Sequence, residues 1–340
     1  VILITSVGGE LTCQFIKTLR ESTRHKFRII GVDNNEDVVA RHILDQFEVV
    51  PLGTHQDYPD KISSICKKHG VDLIFPCSDE EALALAKVKD HFTSNNITLA
   101  CNDIEVLEII SDKVLTYELL SSLNINLPTW HKADTIELVE AYVDKIYNSN
   151  GAVVVKIPSG RGGRGVYVIK DDIKGIIKYD GTRELHMDKE SFIRNYLSVI
   201  NLEEPVMVME KLEEPAHDLD ILAWNGDAIH LIPRKRLHSA KPNEGHVIVE
   251  NELMNNIGQQ VVSELCMSWI IDIDFMIMAN GKPGVLEINP RPSGSLSVPI
   301  CAGIPIFDDM VSLIKGEKIY QASIPTGKVI YPYKSLGTVD

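Results

Sequence analysis

The sequence predicts an α/β front followed by an α+β remainder. Residues 1–110 alternate strand-like runs with amphipathic segments, the pattern of a doubly wound parallel sheet with helices on both faces. From residue 152 onward the chain is β-rich, and helical segments intervene only near 190–199 and 255–269. A length of 340 residues with 44% hydrophobic residues is sufficient for two or three lobes with real cores.

Composition excludes several classes of function. The net charge of −14 argues against a nucleic-acid-binding surface, which normally requires a basic face. The six cysteines are far apart and form no C-x-x-C pair, as expected of reduced thiols in a cytoplasmic protein without a structural zinc. No apolar run approaches 18 residues, so we expect no membrane span. The chain begins in a strand-like run, and we expect no signal peptide.

The front of the chain contains three predicted strands, at residues 1–5, 27–32 and 71–75. Predicted helices follow them at 11–21, 58–69 and 80–91. Ligands of such sheets gather at the carboxyl ends of the strands, which are here residues 6–9, 33–35 and 77–81.

The middle of the chain, residues 111–150, is predicted to be mainly helical. Ser111 or Asp112 can cap a helix through residue 123, and a second helix is predicted over 135–147. The β-rich remainder has predicted strands at 152–157, 166–169, 205–209, 218–224, 227–232, 246–250, 272–278 and 283–288.

A glycine-rich loop contains Gly160, Gly162 and Gly165 in the spacing G-x-G-x-x-G. A dinucleotide-binding fold requires a helix after these glycines, whereas residues 166–169 form another β-rich run. Strand, loop and strand therefore indicate a hairpin that can cover phosphates, to which Arg161 and Arg164 add positive charge. An ordinary hairpin loop and an NAD-binding protein of Rossmann type remain the alternatives.

A second predicted hairpin carries hard oxygen ligands. An Asn-Gly turn at 280–281 joins two strand-like runs, so antiparallel pairing can bring Asp274 and Glu287 side by side. Asn289 lies two residues beyond Glu287 and therefore on the same face of its strand. These oxygens suit Mg²⁺, and Arg291 on that face can bind phosphate through its guanidinium fork.

Four further features are individually ambiguous. Lys156, in a valine-rich strand, is either partnered by an anion or reaches solvent at an edge. Residues 206–212 form either a plain core strand or an adenine-binding segment. The basic cluster at 232–237 is either a solvated face or a pocket for an anion. Lys113 lies at the start of a predicted helix, where it is either a surface lysine beside the helix cap or a contact to phosphate.

Together, these features resemble an ATP-grasp enzyme of the group that includes the carbamoyl-phosphate synthase large subunit and biotin carboxylase. The resemblance covers almost the whole chain. It is carried by Asp274 and by the segments 71–81, 111–113, 155–156, 160–165, 209–212 and 287–295. It implies a pre-ATP-grasp domain at 1–110, a small lobe with a glycine-rich flap at 111–195 and a large lobe with the metal site at 196–340.

The resemblance also implies roles for single residues. Lys113 and Lys156 would hold ATP phosphates, and Asp274, Glu287 and Asn289 would bind two Mg²⁺ ions, for which Mn²⁺ can substitute. Arg291 and Lys156 would stabilise the transferred phosphoryl group, and Arg234 would contact phosphate or the substrate carboxylate. The flap would be Ser159, Gly160, Arg161, Gly162, Gly163 and Gly165. Adenine would meet Glu210, Lys211 and Leu212. The family's ribose-binding glutamate aligns near Ala216, so His217 or Asp218 would replace it.

The implied reaction is carboxylate–amine ligation. A small carboxylic or amino acid would attack the γ-phosphate to form an acyl phosphate, and an amine would then displace phosphate. Specificity residues are expected within 78–81, 236–239 and 293–297, and a homodimer is plausible for the family. A bicarbonate-activating enzyme and a non-catalytic nucleotide-binding protein remain the alternatives.

Overall fold

The computed structural model describes residues 1–157, 165–178, 184–319 and 323–333. Their strands form three sheets, which confirms the predicted combination of a parallel α/β front and a β-rich remainder. Within the described residues, no helix is both long and apolar enough to cross a membrane.

The first sheet is entirely parallel, with the strand order β3-β2-β1-β4-β5. Helix α1 packs on one face, and α2, α3 and α5 pack on the other. Its strands are β1 (Ile2–Ile4), β2 (Ile29–Asp33), β3 (Gln46–Val49), β4 (Leu73–Phe75) and β5 (Thr98–Leu99). Its helices are α1 (Thr12–Arg20), α2 (Tyr58–His69), α3 (Asp79–Ala86), α4 (Lys89–Ser94) and α5 (Ile104–Ser111).

The single helix predicted over 80–91 is wrong, because the chain breaks between α3 and α4. A continuous helix would place Lys89 between Leu85 and Phe92 on the buried face. The break instead lets the Lys89 ammonium reach the Cys101 carbonyl at 3.2 Å and the Asp103 carboxylate at 2.6 Å. Strand β3 and helix α5 were not predicted.

The second sheet has the order β6-β11-β7-β8-β10-β9 and packs against α7 and α8. The sheet includes β11, which comes after residue 195, the predicted end of the small lobe. The domain boundaries stay a prediction. Its elements are α6 (Lys113–Ser122), β6 (Trp130–Ala133), α7 (Ile136–Asn150), β7 (Ala152–Lys156), β8 (Val166–Lys170), β9 (Ile176–Ile177), β10 (Leu185–Met187), α8 (Lys189–Asn195) and β11 (Val206–Glu210).

The third sheet is antiparallel, with the order β16-β15-β12-β13-β14-β17. Its elements are β12 (Glu213–Trp224), β13 (Asp227–Arg236), β14 (His246–Ile248), α9 (Glu252–Glu264), β15 (Trp269–Ile277), β16 (Pro283–Asn289), α10 (Ser297–Ala302), α11 (Ile306–Ile314) and β17 (Val329–Ile330). Helix α9 lies close to one face, since a Cβ at Gly258 would meet Leu219 at 2.7 Å.

An aromatic contact joins the first and third sheets. Phe307 of α11 packs edge-on against Phe75 and Phe15, with ring centroids 4.9 and 5.4 Å apart. All three rings are buried. This packing holds the carboxyl edge of the parallel sheet beside the third sheet, where the polar residues described next converge.

Candidate functional site

A cavity of about 110 Å³ lies between β16 of the third sheet and the helices α5 and α6. Its walls come from the end of α5, the first half of α6 and the end of β16 with the two residues after it, together with one residue of α3. They are Asp79, Ile110, Ser111, Lys113, Thr116, Tyr117 and residues 286–291. Lys113 is the first residue of α6, whose predicted cap Asp112 accepts hydrogen bonds from the N–H groups of Val114 and Leu115.

Lys156, the last residue of β7 in the second sheet, contacts a residue that lines this cavity. Its side chain is buried, and its ammonium group donates to the Leu286 carbonyl of β16 at 3.5 Å. Burial lowers the pKa of Lys156 to about 8, although the neighbouring Glu287 acts in the opposite direction. The lysine of one lobe is therefore adjacent to the predicted metal ligands of the other.

The predicted hairpin has the expected register. Asp274 pairs with Glu287 across β15 and β16, and Asn289 pairs with Asp272 two residues further along the hairpin. On its other side, Asp274 pairs with Asp218 of β12, so the carboxylates extend across three strands of the sheet. One carboxylate oxygen each from Asp218, Asp272 and Asp274 lies within 4.8 Å of the others. We call Asp218, Asp220, Asp272 and Asp274 the acidic face.

Charge on the acidic face is incompletely balanced. Asp272 is buried, and although one oxygen accepts from the Asn289 amide at 3.2 Å, Oδ1 has no hydrogen bond to any described residue. Burial and three neighbouring carboxylates raise the pKa of Asp272 well above its usual range. Burial likewise raises the pKa of Asp274 to about 6, against the opposing effect of Arg236.

Arg234 is fully buried, and it pairs with Asp218 across β12 and β13, so its side chain lies on the same side of the sheet as the acidic face. It donates to Asp220 at 3.2 Å, to the hydroxyls of Ser293 and Ser295 at 3.0 Å each, and to His246 at 2.9 Å. Burial and Arg234 lower the pKa of His246 to about 4, so its ring is neutral at pH 7. This network does not favour the predicted contact of Arg234 with phosphate or substrate.

Arg236, two residues along the same strand, faces the site directly. Its Nε donates to both oxygens of Asp218 at 3.0 and 3.1 Å, and its Nη2 donates to Asp218 Oδ1 as well. Nη2 also lies 3.0 Å from Asp274 Oδ1. The two arginines outweigh the effect of burial and lower the pKa of Asp218. Asp218 is therefore held by charge within the acidic face, which does not favour the predicted ribose contact.

Arg291 connects the end of β16, which carries the predicted metal ligands Glu287 and Asn289, to helix α3 beside the first sheet. Its Nε lies 3.2 Å from an Asp79 oxygen, and its Nη2 donates to Asn289 Oδ1 at 3.2 Å. Asp79 begins α3, so the carboxyl edge of the parallel sheet contributes to the site. Neighbouring carboxylates raise the pKa of Arg291 despite its burial, and the side chain stays charged.

The predicted adenine segment ends β11. The N–H of Glu210 donates to the Thr129 carbonyl at 2.8 Å, and the Lys211 ammonium donates to Glu213 at 3.0 Å. His217 lies on the face of β12 opposite to Asp218, with Nδ1 3.0 Å from the Pro215 carbonyl. Leu212 is buried in the core.

Most of the predicted flap lies outside the described residues, namely Ser159, Gly160, Arg161, Gly162 and Gly163. At its base, β7 and β8 pair antiparallel, and the Gly165 carbonyl accepts from the Ile157 N–H at 2.9 Å. Gly165 has φ +70°, a conformation that favours glycine. The strands before and after the glycine-rich segment are thus as predicted, and the element after Gly165 is a strand rather than the helix that a dinucleotide fold would require.

The sequence analysis missed Asp272 as part of the site, and it included Asp79 and Arg236 only within the segments 78–81 and 236–239, where specificity residues were expected. Asp272 precedes Asp274 by two residues, so strand alternation alone would have placed both on one face. No local pattern predicted the ion pairs of Asp79 with Arg291 or of Arg236 with Asp218 and Asp274.

Comparison with known protein families gives two matches. Residues 202–333 match a family described as "ATP-grasp in the biosynthetic pathway with Ter operon". Residues 2–100 match the PylC-like N-terminal domain.

Solved structures share this architecture over nearly the whole chain. The biotin carboxylase domain of Hydrogenobacter thermophilus 2-oxoglutarate carboxylase is 17% identical, with 96% of this chain and 72% of that chain covered at a TM-score of 0.69. N5-carboxyaminoimidazole synthetase from Staphylococcus aureus is 14% identical, with 96% and 80% covered at 0.68. Biotin carboxylase from Campylobacter jejuni is 14% identical, with 94% and 72% covered at 0.67. At these identities the likeness concerns the fold.

Proposed function

We propose that the chain is an ADP-forming ligase of the ATP-grasp type, because residues 202–333 match an ATP-grasp family model, and that it uses ATP to join a small carboxylic or amino acid to an amine. The carboxylate would be activated as an acyl phosphate, and the products would be an amide, ADP and phosphate.

One observation supports this proposal most strongly. Lys156 of the small-lobe sheet lies against Leu286, directly before the predicted metal ligand Glu287 of the large-lobe sheet. A buried lysine beside hard oxygen ligands is suited to a polyphosphate bound between the two lobes. The solved structures with this fold include complexes with ADP, with its magnesium salt and with an ATP analogue.

The residues present fit a magnesium ion. Asp274, Glu287 and Asn289 supply carboxylate and amide oxygens from adjacent rows of one hairpin, and the buried Asp272 Oδ1 beside them makes no hydrogen bond to a described residue. In the proposed site, Asp274, Glu287 and Asn289 would hold Mg²⁺. The bound ion would offset the negative charge of the phosphates.

The chain's own groups would carry the first step. Lys156 and Lys113 would bind the phosphates, and Arg291 would place its guanidinium against the transferred phosphoryl group. A carboxylate oxygen would attack the γ-phosphorus as the bond to the β–γ bridging oxygen breaks, releasing ADP. Closure of the flap would exclude water from the acyl phosphate.

In the second step the amine nitrogen would attack the acyl carbon. Phosphate would leave with the former carboxylate oxygen, and the nitrogen would lose a proton. The adenine contacts of residues 210–212 and a ribose contact of His217 or Asp218 remain part of the proposal.

Screening for ADP release tests this function. The full chain would be incubated with ATP, Mg²⁺ and pairs drawn from the common amino acids. With ¹⁸O in the carboxylate of an active pair, an acyl phosphate requires one label to appear in the released phosphate. Absence of label from the phosphate would contradict the acyl-phosphate mechanism.

Bicarbonate is a second candidate for the activated carboxylate. The structure from Hydrogenobacter thermophilus with this fold contains bicarbonate together with ADP. Bicarbonate would react with ATP to give carboxyphosphate and ADP. ADP release that depends on bicarbonate, with ¹⁴C carried into an acid-stable product, would favour this candidate over an amino-acid substrate.

A further inference from the structure

Strand β16 is irregular directly before the predicted metal ligand Glu287. Across the hairpin, Asp274 pairs with Glu287, but the next residue of β15, Phe275, pairs with Val285. Leu286 is therefore an extra residue on β16, which makes this irregularity a β-bulge. Bulges often lie beside functional sites, where they change the direction of a neighbouring side chain.

The bulge places its two flanking residues on different faces of the sheet. In a regular strand, Val285 and Glu287 are two positions apart and would share a face. Because of the extra residue, Glu287 instead lies on the same face as Asn289, the other predicted metal ligand of β16. Val285 lies on the opposite face with its partner Phe275, and both of these side chains are fully buried in the core. The bulge thus lets one short segment supply both a core side chain and a metal ligand.

Two side chains from other elements donate hydrogen bonds to the bulge. Among the described strands, β16 is at the edge of the third sheet, so its outer carbonyls face other elements. The Tyr117 hydroxyl of α6 donates to the Val285 carbonyl at 2.5 Å, and the Lys156 ammonium donates to the Leu286 carbonyl at 3.5 Å. Successive carbonyls of a regular strand point to opposite edges, whereas these two both face outward, as the bulge requires.

Tyr117 is placed to act on the bulge throughout binding. Its side chain is buried, and its ring packs edge-on against Trp130 with the centroids 5.4 Å apart. It lies one helical turn after Lys113, so α6 connects this predicted phosphate ligand to β16. Lys156, by contrast, is itself assigned to phosphate in the proposed function. Tyr117 is therefore the contact that stays on the bulge when Lys156 binds a nucleotide.

We propose that Tyr117 is a positioning residue for the metal site, because its hydroxyl holds the bulge at Leu286 in the form that directs Glu287 towards the cation. This inference rests on the proposed function, which assigns Glu287 to the metal. Without the hydroxyl, the Val285 carbonyl loses its donor and Glu287 is held less firmly, while the ring stays in the core. Groups that orient a metal ligand typically change metal affinity by roughly 10- to 100-fold.

The test compares two binding measurements on the full chain. The first is a Mn²⁺ titration with a non-hydrolysable imido analogue of ATP, followed by electron paramagnetic resonance. We expect Tyr117→Phe to bind Mn²⁺ about tenfold more weakly than the wild type. The second is a calorimetric titration with ADP and no divalent cation. There the variant should stay within about twofold of the wild type, as expected of sites that do not interact.

Tyr142→Phe is the matched control. It removes a tyrosine hydroxyl from α7, which packs on the second sheet rather than beside β16, and it should leave both affinities within about twofold. Loss of one buried hydrogen bond is small against the stability of a typical domain, so Tyr117→Phe should fold. Circular dichroism at the titration temperature checks that each variant is folded.

Each alternative outcome has a definite meaning. Unchanged Mn²⁺ affinity in Tyr117→Phe would overturn the positioning role. An equal loss of ADP affinity would also overturn it, because the hydroxyl would then shape the nucleotide pocket rather than the metal site. If the wild type itself binds no Mn²⁺ with the analogue, the metal assignment of the proposed function fails and this inference fails with it.

Discussion

The negative charge of buried carboxylates is compensated in different ways at two places in this molecule, at Glu81 and at the acidic face. In the first domain, Glu81 accepts hydrogen bonds from the hydroxyls of Thr5, Ser6 and Ser78 at 2.5, 2.8 and 2.8 Å. In the third sheet, two guanidinium groups among the described residues form ion pairs with the four carboxylates of the acidic face, and Asp272 Oδ1 has no hydrogen bond to a described residue. The comparison shows that incomplete compensation, rather than burial of charge itself, marks the site for a ligand.

The hydroxyl shell of Glu81 has a local structural purpose. Ser78 is the N-cap of α3 and also accepts from the Glu81 N–H, so the shell joins the loop after β1 to the start of this helix. A carboxylate in the first turn of a helix is favoured by the helix dipole. We therefore expect substitutions at Glu81 to affect stability and those on the acidic face to affect ligand binding as well.

The largest expected effect is on stability, at Arg234. Arg234→Met should lower the free energy of unfolding by about 3–5 kcal/mol, because it leaves the buried Asp220 and Asp218 without their shared partner. Urea unfolding measures the change. Arg236→Met should lower it less, since the Arg236 side chain is 13% exposed and Arg234 remains beside Asp218. Equal losses for the two variants would contradict the contrast between the fully buried Arg234 and the partly exposed Arg236.

The second largest expected effect is on the rate of catalytic turnover, at Glu287. Glu287→Ala should reduce the rate of ADP release by about 100-fold or more, because it removes charge placed to hold the metal–phosphate group. The control is Glu264→Ala, which removes an exposed carboxylate at the end of α9 and should leave the rate unchanged. Full activity of Glu287→Ala would show that the metal ligands are elsewhere.

A smaller effect is expected in the pH dependence of nucleotide binding. Because burial lowers the pKa of Lys156 to about 8, its positive charge is present below that pH and is lost as the pH rises through it. ADP affinity, measured by calorimetry without divalent cation, should be flat below about pH 7 and fall by up to tenfold per pH unit above 8. Lys156→Met should bind ADP more weakly at pH 7 and lack this fall. An identical fall in the variant would assign the titration to another group.

The smallest effect is expected at Glu81. Burial raises the pKa of Glu81, so the folded protein takes up this proton at a higher pH than the unfolded chain does. The wild type should therefore gain stability relative to Glu81→Gln as the pH falls from 7 towards the unfolded pKa. Paired urea unfolding at pH 7 and pH 5 measures this difference, and ADP release should be the same in both proteins. A relative loss at low pH, or loss of activity in the variant, would contradict a purely structural role.

The sequence was most informative where the relevant contacts are local. The Asn-Gly turn and strand alternation predicted that Asp274 would pair with Glu287 and that Asn289 would follow on the same face. The run of β-branched residues after Gly165 predicted a strand rather than a helix. Each inference required only the chemistry of neighbouring residues.

The sequence was least informative where distant strands meet. Placing Asp218 beside Asp274 requires β12 to lie between β13 and β15, which no local pattern reveals. The difference between Arg234 and Arg236 depends on Ser293, Ser295 and His246, which come from other parts of the chain. The contact of Arg291 with Asp79 likewise depends on where helix α3 lies relative to the third sheet.

A crystal structure with Mg²⁺ and the imido analogue of ATP tests the central claim most directly. We expect the phosphates to contact the Lys156 ammonium on one side, and a Mg²⁺ ion bound by Glu287 and Asn289 to lie on the other. A nucleotide bound elsewhere, with Lys156 still against the Leu286 carbonyl and no metal at Glu287, would contradict the account.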